Sequence, residues 1–283
     1  MVCLQLSFFF AYDDVCFVNA NYLMPTWYID PVLLKIGPLQ VHWYGVMYGI
    51  AFLIGYFWLQ KSKLGKGLGL TGEQKDVFML AVIAGVLLGG RLGYILFYNL
   101  PYYLSNPLKI LAVWEGGMSF HGGFLGVLAT MIWFSKKYKV TVLKLGDAIT
   151  GIAPIGLFFG RIGNFINGEL YGRIATDWCL YFPADPKNCR YPSQLLEAFL
   201  EGLVLFLVLW IVRKYTHKSG MTIVFFLIFY GIFRSFAEFF REPDAQIGFL
   251  PGGITEGQLL SLLMMLGGSI LLWHLVKKAK SFD

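Results

Sequence analysis

Of the 283 residues in this chain, 57% are hydrophobic, 18% aromatic and only 14% charged, with a mean hydropathy of +0.62. A soluble domain runs about 45–50% apolar and about 25% charged, so composition excludes an ordinary soluble enzyme and points to an integral membrane protein. The net charge of +6 does not imply nucleic acid as a partner, because the basic residues mark loops rather than one soluble module.

Residues 1–23 hold a short apolar run, Leu4 to Phe10, followed by Asp13 and Asp14. No basic stretch precedes the run, and it is too short for a bilayer that needs about 20 apolar residues. The reading is an N-terminal extension with translation starting at Met24, the alternative being a poor signal peptide. From residue 24 to 283 the chain reads as a single membrane domain. Seven apolar segments follow, at about 41–60, 77–98, 117–135, 147–166, 194–212, 220–240 and 256–276. The predicted fold is therefore all-α: seven transmembrane helices with a small periplasmic cap and an interfacial arm.

Fourteen of the 23 Lys and Arg fall in alternate connections and the tail, including Lys61, Lys75, Lys136, Lys144, Arg213 and Lys277. Six fall on the other side (Lys35, Lys109, Arg173, Lys187, Arg190 and Arg241), and Arg91, Arg161 and Arg234 lie inside spans. The positive-inside rule then puts the N-terminus outside and the C-terminus in the cytoplasm. Of the outer connections, about 99–116 is rich in Tyr, Trp and Pro and suits an arm lying in the interface. The other, about 167–193, is the longest polar stretch and would form the external cap. Among the four cysteines there is no Cys-x-x-Cys pair and no neighbouring histidine cluster, so neither a metal nor another cofactor is predicted. Cys179 and Cys189 both lie in the cap, where an oxidising compartment lets them bond as a structural disulfide or stay as thiols.

The three buried arginines carry the chemistry. At 1.5 Å per residue, each sits about 21–23 Å from the cytoplasmic face of a core about 30 Å thick. His121 and Tyr44 enter the same outer half from outside. Arg161 and Asn164 share a helix face at i, i+3; Arg234, Glu238 and Arg241 form one stripe, and Arg190, Gln194, Glu197 and Glu201 another. A charge at this depth costs roughly 2.5–3.5 kcal/mol on insertion scales, so it needs a partner or a task. Buried ion pairs are the plainer reading for Glu197, Glu201, Arg91 and Arg241. For Arg161 and Arg234, positive charge beside amides reads as an anion site, the guanidinium fork matching phosphate oxygens.

Gly85, Gly89 and Gly93, and Gly122 with Gly126, are spaced for close helix packing. His121, flanked by glycines, is either a packing residue or a general base that a substrate can approach. Trp43, Tyr44 and Tyr48 are either an aromatic belt or part of the site.

Three strings resemble the prolipoprotein diacylglyceryl transferase family: Gly89-Gly90-Arg91-Leu92-Gly93-Tyr94, Gly116 to Gly123 (Gly-Gly-Met-Ser-Phe-His-Gly-Gly), and Gly160 to Glu169 with Gly172-Arg173. His42-Trp43-Tyr44-Gly45, Pro192-Ser193-Gln194, Tyr230 to Arg234, Glu238 and Arg241-Glu242-Pro243-Asp244 extend the likeness from about Trp27 to the last span. The resemblance implies a bacterial inner-membrane enzyme without cofactor. It would move the diacylglyceryl group of phosphatidylglycerol to the lipobox cysteine of a prolipoprotein signal peptide and release glycerol phosphate. It also implies that Arg161 binds the lipid, and that Tyr44, His121, Asn164, Glu169, Gly172 and Arg234 serve activity, with Asp147 a further candidate. Where the family reads His-Pro-Ser-Gln-Leu-Tyr-Glu, this chain has Tyr191-Pro192-Ser193-Gln194-Leu195-Leu196-Glu197.

On this reading His121 takes the thiol proton, Arg161 and Arg234 offset charge on the leaving phosphate, Asn164 and Tyr44 orient the head group, and Glu169 and Glu238 fix the guanidinium groups. The rival class is an anion or lipid transporter with arginines lining a path, which would favour broken helices and a clear repeat. A scaffold for partner helices leaves the arginine layer without a reason.

Overall fold

The computed structural model describes residues 2–4, 15–17, 29–37, 39–112, 116–216, 218–243 and 248–280. Asp13, Asp14, Met24, Trp27 and Asp244 of the sequence reading lie outside these residues. In chain order, strands β1 (Val2–Leu4) and β2 (Val15–Phe17) pair antiparallel, as do β3 (Val32–Ile36) and β4 (Leu39–His42). Helices α1 (Trp43–Lys61), α2 (Lys63–Gly67), α3 (Gly72–Tyr98) and α4 (Leu100–Ser105) follow, then a 3-10 turn (Pro107–Leu111), α5 (Phe120–Tyr138), α6 (Val142–Thr150) and α7 (Ala153–Ile166). A third antiparallel hairpin, β5 (Leu180–Phe182) and β6 (Asp185–Arg190), leads into α8 (Ser193–Glu197), which runs on as a π-helical stretch (Ala198–Val204) and α9 (Leu205–Tyr215). Helices α10 (Met221–Ala237) and α11 (Glu256–Lys280) complete the chain.

The fold is mostly helical, and the hairpins correct the all-α expectation. Each has strands of only three to six residues. So short an alternation is easily missed beside long apolar runs. Each of the seven apolar segments contains helix. By length and apolarity Gly72–Tyr98, Ser193–Tyr215 and Glu256–Lys277 can each cross a bilayer, and α6 with α7 makes a fourth if the broken pair is one span. These helices turn leucines outward: Leu80, Leu88 and Leu96 on α3 and Leu263, Leu266 and Ile270 on α11 are more than half exposed. Exposed rows of this kind suit lipid as the surrounding solvent.

The described residues divide into two compact units: one within Met1–Phe52, Ala153–Lys214 and Val224–Asp283, the other Leu53–Ile152 with Tyr215–Ile223. In the second, α3 and α5 meet along the predicted glycine seam. A Cβ on Gly93 would come within 2.7 Å of the Gly122 Cα, and one on Gly85 within 2.8 Å of the Gly126 carbonyl oxygen, so backbone lies on backbone. Leu59, Phe78, Phe134 and Leu145 form a small core at one end of the seam, the Phe78 and Phe134 rings 4.7 Å apart. A capping box starts α3: Thr71 Oγ1 accepts from the Gln74 N–H and Gln74 Oε1 from the Thr71 N–H. Asp147 is buried, and its carboxylate accepts from the Gly220 N–H at 2.6 Å and the Ile223 N–H at 3.1 Å. An anion on the free amides of a helix start stabilises that end, so Asp147 holds backbone in this structure.

Arg91 has a different partner set from the ion pair read in the sequence. It is 4% exposed and donates to the carbonyl oxygens of Lys109, Ile110, Ala112, Gly116 and Gly117, with its guanidinium 5.0 Å from the Tyr103 ring centre. One side chain therefore ties Lys109, Ile110, Ala112, Gly116 and Gly117 to α3. A planar fork with five N–H donors can satisfy several carbonyls that no carboxylate could.

Candidate functional site

The site lies in the first unit, and its centre is Glu197. The last residue of α8, it is fully buried, and its Oε2 receives Arg161 Nη2 at 2.8 Å, Arg234 Nη1 at 2.5 Å and Arg241 Nη1 at 3.8 Å. One turn on, inside the π-helical stretch, Glu201 is also fully buried. Its Oε1 is 3.3 Å from Arg234 Nη1 and its Oε2 3.9 Å from Arg161 Nη2. The i, i+4 spacing puts both carboxylates on the face toward α7, where Gly202 lets the helices close: a Cβ there would meet the Phe158 Cβ at 2.6 Å. Helical widening of this type recurs at functional sites.

Within the Arg234–Glu238–Arg241 stripe, Arg234 Nη2 pairs with Glu238 Oε1 at 2.6 Å, and Glu238 Oε2 accepts from the Thr255 hydroxyl at 2.8 Å. The cluster thus sets three guanidinium groups against three carboxylates. The two signs are not equally accessible: Arg161, Arg234 and Arg241 are 16%, 11% and 12% exposed, whereas Glu197 and Glu201 are 0% and Glu238 is 4%. What little exposure the cluster has belongs mostly to the arginine side chains. The sequence reading gave Arg161 and Arg234 spare positive charge; instead both bind carboxylates, because ions buried at this depth need counter-ions.

Asn164 extends the cluster. Its Oδ1 accepts from Arg161 Nη1 at 3.4 Å and its Nδ2 donates to Glu169 Oε1 at 2.8 Å. Asn167 Nδ2 reaches the same oxygen at 3.4 Å. Glu169 therefore fixes amides rather than a guanidinium, and only Glu238 has the arginine-holding role read for both. Tyr44 sits over Gly163, where a Cβ would come within 2.9 Å of its ring, and its hydroxyl is 3.3 Å from that of Tyr48.

Gly172 threads between two segments. Its N–H donates to the Tyr191 carbonyl at 2.8 Å, it bridges to Arg241, and a Cβ would meet the Tyr191 Cβ at 2.8 Å. Next to it, the Arg173 guanidinium donates to the carbonyls of Arg241 and Glu238. These bonds fix the chain just past α10, where Glu238 and Arg241 lie. Gln194, fully buried, donates to the Glu169 carbonyl at 2.7 Å.

The 167–193 segment is closed by a disulfide between Cys179 and Cys189. Arg190, read as the first residue of a stripe with Glu197, turns away to Asp185 at 2.6 Å and Glu242 at 3.1 Å because it ends β6 before the helix begins. The Asn188 amide, and after it the Arg190 guanidinium, hold the Asp185 carboxyl below the usual carboxylate range.

His121 belongs to the second unit. It is the second residue of α5, exposed beside the ring of Phe120, and the Ser119 hydroxyl accepts from the Gly122 N–H to start the helix. Of the predicted residues, the structure therefore gathers Tyr44, Arg161, Asn164, Glu169, Gly172 and Arg234 in one unit and sets His121 in the other. Sequence reasoning took Glu197 and Glu201 for fold-holding pairs and named no role for Thr255 or Arg173. The signal for the first two was present: carboxylates at i, i+4 within an apolar span.

A family profile described as prolipoprotein diacylglyceryl transferase matches residues 31–274. The phosphatidylglycerol–prolipoprotein diacylglyceryl transferase of Geobacter sulfurreducens is 50% identical over 242 residues, covering 85% of this chain and 93% of that protein. The protein of the same name from Azospirillum brasilense is 52% identical over 249 residues (85% and 92%), and that of Rhodospirillum rubrum 47% over 259 (89% and 94%). With a match over most of its length and several helices able to cross a bilayer, the chain is a multi-pass membrane protein and a transferase, and it belongs to the prolipoprotein diacylglyceryl transferase family.

Proposed function

We propose that this chain transfers the diacylglyceryl group of phosphatidylglycerol to the lipobox cysteine of prolipoprotein signal peptides, the first step of lipoprotein maturation. The observation that carries the site assignment is the pair Arg161 and Arg234, anchored on fully buried carboxylates and themselves slightly exposed. Such a pair is preorganised for a phosphate and needs no rearrangement as charge develops.

In the proposed reaction the thiol loses its proton to His121, since the thiolate is the nucleophile. The sulfur attacks the glyceryl carbon bonded to the phosphate oxygen. A C–S bond forms, the C–O bond breaks, and its electron pair leaves with glycerol phosphate. Arg161 and Arg234 hold that phosphate, Asn164 and Tyr44 orient the head group, Glu169 fixes Asn164, and Gly172 keeps the segment beneath the site in place.

The proposed setting is the bacterial inner membrane, as a single domain of seven spans. Its N-terminus is periplasmic, its C-terminus cytoplasmic, 167–193 forms an external cap and 99–116 an interfacial arm. The distribution of Lys and Arg supports that orientation, and so does a disulfide in the segment assigned to the oxidising side.

Purified protein incubated with phosphatidylglycerol and a lipobox peptide should yield the thioether-linked diacylglyceryl peptide by mass spectrometry. A peptide that stays unmodified ends this reading. In the same assay His121→Gln should lose about 10²–10⁴-fold in rate, the usual contribution of a positioned base. An unchanged rate for that variant from about pH 6 to 9 removes His121 as the proton acceptor.

A further inference from the structure

The free cluster balances three guanidinium groups against Glu197, Glu201 and Glu238, yet the substrate assigned to it brings another negative charge. An uncompensated ion in a buried site costs several kcal/mol. Guanidinium groups do not give up protons in proteins, so the excess falls on the carboxylates, and their contacts differ. Glu197 Oε2 holds three guanidinium groups at once. Glu238 has Arg234 at 2.6 Å and the Thr255 hydroxyl at 2.8 Å. Glu201 has the longest contacts of the three, 3.3 Å from Arg234 and 3.9 Å from Arg161. It is fully buried, and its Oε2, like Glu197 Oε1, accepts no hydrogen bond among the described residues, so the longer contacts to arginine are what set it apart. The charged or titratable groups facing it are Glu197 on its own helix, Arg161 on α7, and Arg234 and Tyr230 on α10.

We propose that Glu201 takes up a proton when the lipid phosphate enters the Arg161–Arg234 site, so that the cluster exchanges a buried carboxylate charge for the substrate's. This rests on the assignment of that site to phosphatidylglycerol. The proton comes from the buffered solvent: the buffer acid gives up its O–H or N–H bond, leaving its conjugate base, as an O–H bond forms on a Glu201 carboxylate oxygen. The neutral carboxyl leaves the charge of both guanidinium groups uncompensated for the phosphate, while Glu197 keeps them in place. Binding is then linked to pH: the lipid binds more tightly as protons become available, and affinity falls as pH rises.

The test is titration of delipidated protein with phosphatidylglycerol in detergent, by calorimetry in buffers of different ionisation enthalpy. The wild-type protein should take up about one proton per lipid near neutral pH, and its Kd should weaken by up to about tenfold per pH unit on the alkaline side. Glu201→Gln, a fixed neutral replacement, should bind as tightly as wild type does at low pH, with no proton uptake and a flat profile. Glu242→Gln, which removes a carboxylate paired with Arg190 outside the cluster, should keep the slope. A flat wild-type profile, or a slope surviving in Glu201→Gln, overturns the proposal, and the wild-type measurement needs no variant to fold. Failure of the wild-type protein to bind phosphatidylglycerol at any pH instead overturns the site assignment.

Discussion

Replacing Arg161 by alanine should reduce thioether formation about 10³-fold or more while leaving the protein folded. The size follows from what the side chain supplies. Losing one preorganised donor at a developing anion costs about 10²–10³-fold, and an arginine that stabilises a transferring phosphate is worth about 10³–10⁵-fold. Survival of the fold follows from the partner set: without Arg161, Glu197 keeps Arg234 and Arg241, and Glu201 keeps Arg234. One carboxylate is then in excess, but a buried carboxylate can neutralise itself by taking a proton, as a guanidinium cannot by losing one. Arg161→Lys separates charge from shape. An ammonium can still reach Glu197, but it cannot also satisfy Asn164 Oδ1 and offer a planar fork to phosphate, so its rate should fall between wild type and alanine. Rates on the lipobox peptide, read beside thermal unfolding in detergent, check both variants. Full turnover by a folded Arg161→Ala protein would sink the phosphate role.

The parts legible in the sequence are those fixed by one-dimensional spacing. Long apolar runs located the helices, because burial in lipid demands apolar side chains all round. The glycine spacing on α3 and α5 located their contact, because only glycine lets two backbones come as close as Gly93 and Gly122 do. The i, i+4 relation put Arg234 and Glu238 on one face, where the structure pairs them. What spacing cannot carry is which of several carboxylates meets which guanidinium once helices distant in sequence pack together. Glu197 and Glu201 were visible as costly charges, but their joint hold on Arg161 and Arg234 is a property of packing.

Arg91 shows the same limit from the other side. Its sequence context matches that of Arg161, glycine before and glycine two residues after, yet one arginine meets carboxylates and the other, among the described residues, backbone oxygens and the Tyr103 ring. The difference lies in what each helix faces. Beside α3 run the end of the 3-10 turn and the residues after it, where no continuous helical ladder takes up every carbonyl, and buried carbonyls attract the nearest donor. Irregular backbone leaves little mark in hydropathy, so neither this clamp nor the β5–β6 hairpin could be drawn from the apolar pattern.

The largest effect on stability should come from Glu197→Ala. Removing one partner of a buried ion pair costs about 3–5 kcal/mol because the remaining charge has nowhere to go, and here a single carboxylate serves three guanidinium groups. Glu201 and Glu238 would remain against Arg161, Arg234 and Arg241, leaving one positive charge in excess in a nearly closed site. The variant should therefore unfold at a clearly lower temperature and lose activity with its fold. Glu197→Gln, which preserves volume and one acceptor oxygen, should be intermediate. The double variant Arg161→Ala with Glu197→Ala separates charge from packing. If charge imbalance is the cause, removing Arg161 restores part of the lost stability, a coupling of about 0.5–3 kcal/mol; if the defect is a cavity on α8, the losses simply add. A Glu197→Ala protein with wild-type thermal stability would mean that the three arginines do not depend on that carboxylate, and Glu197 could no longer be treated as the centre that presents them to a phosphate.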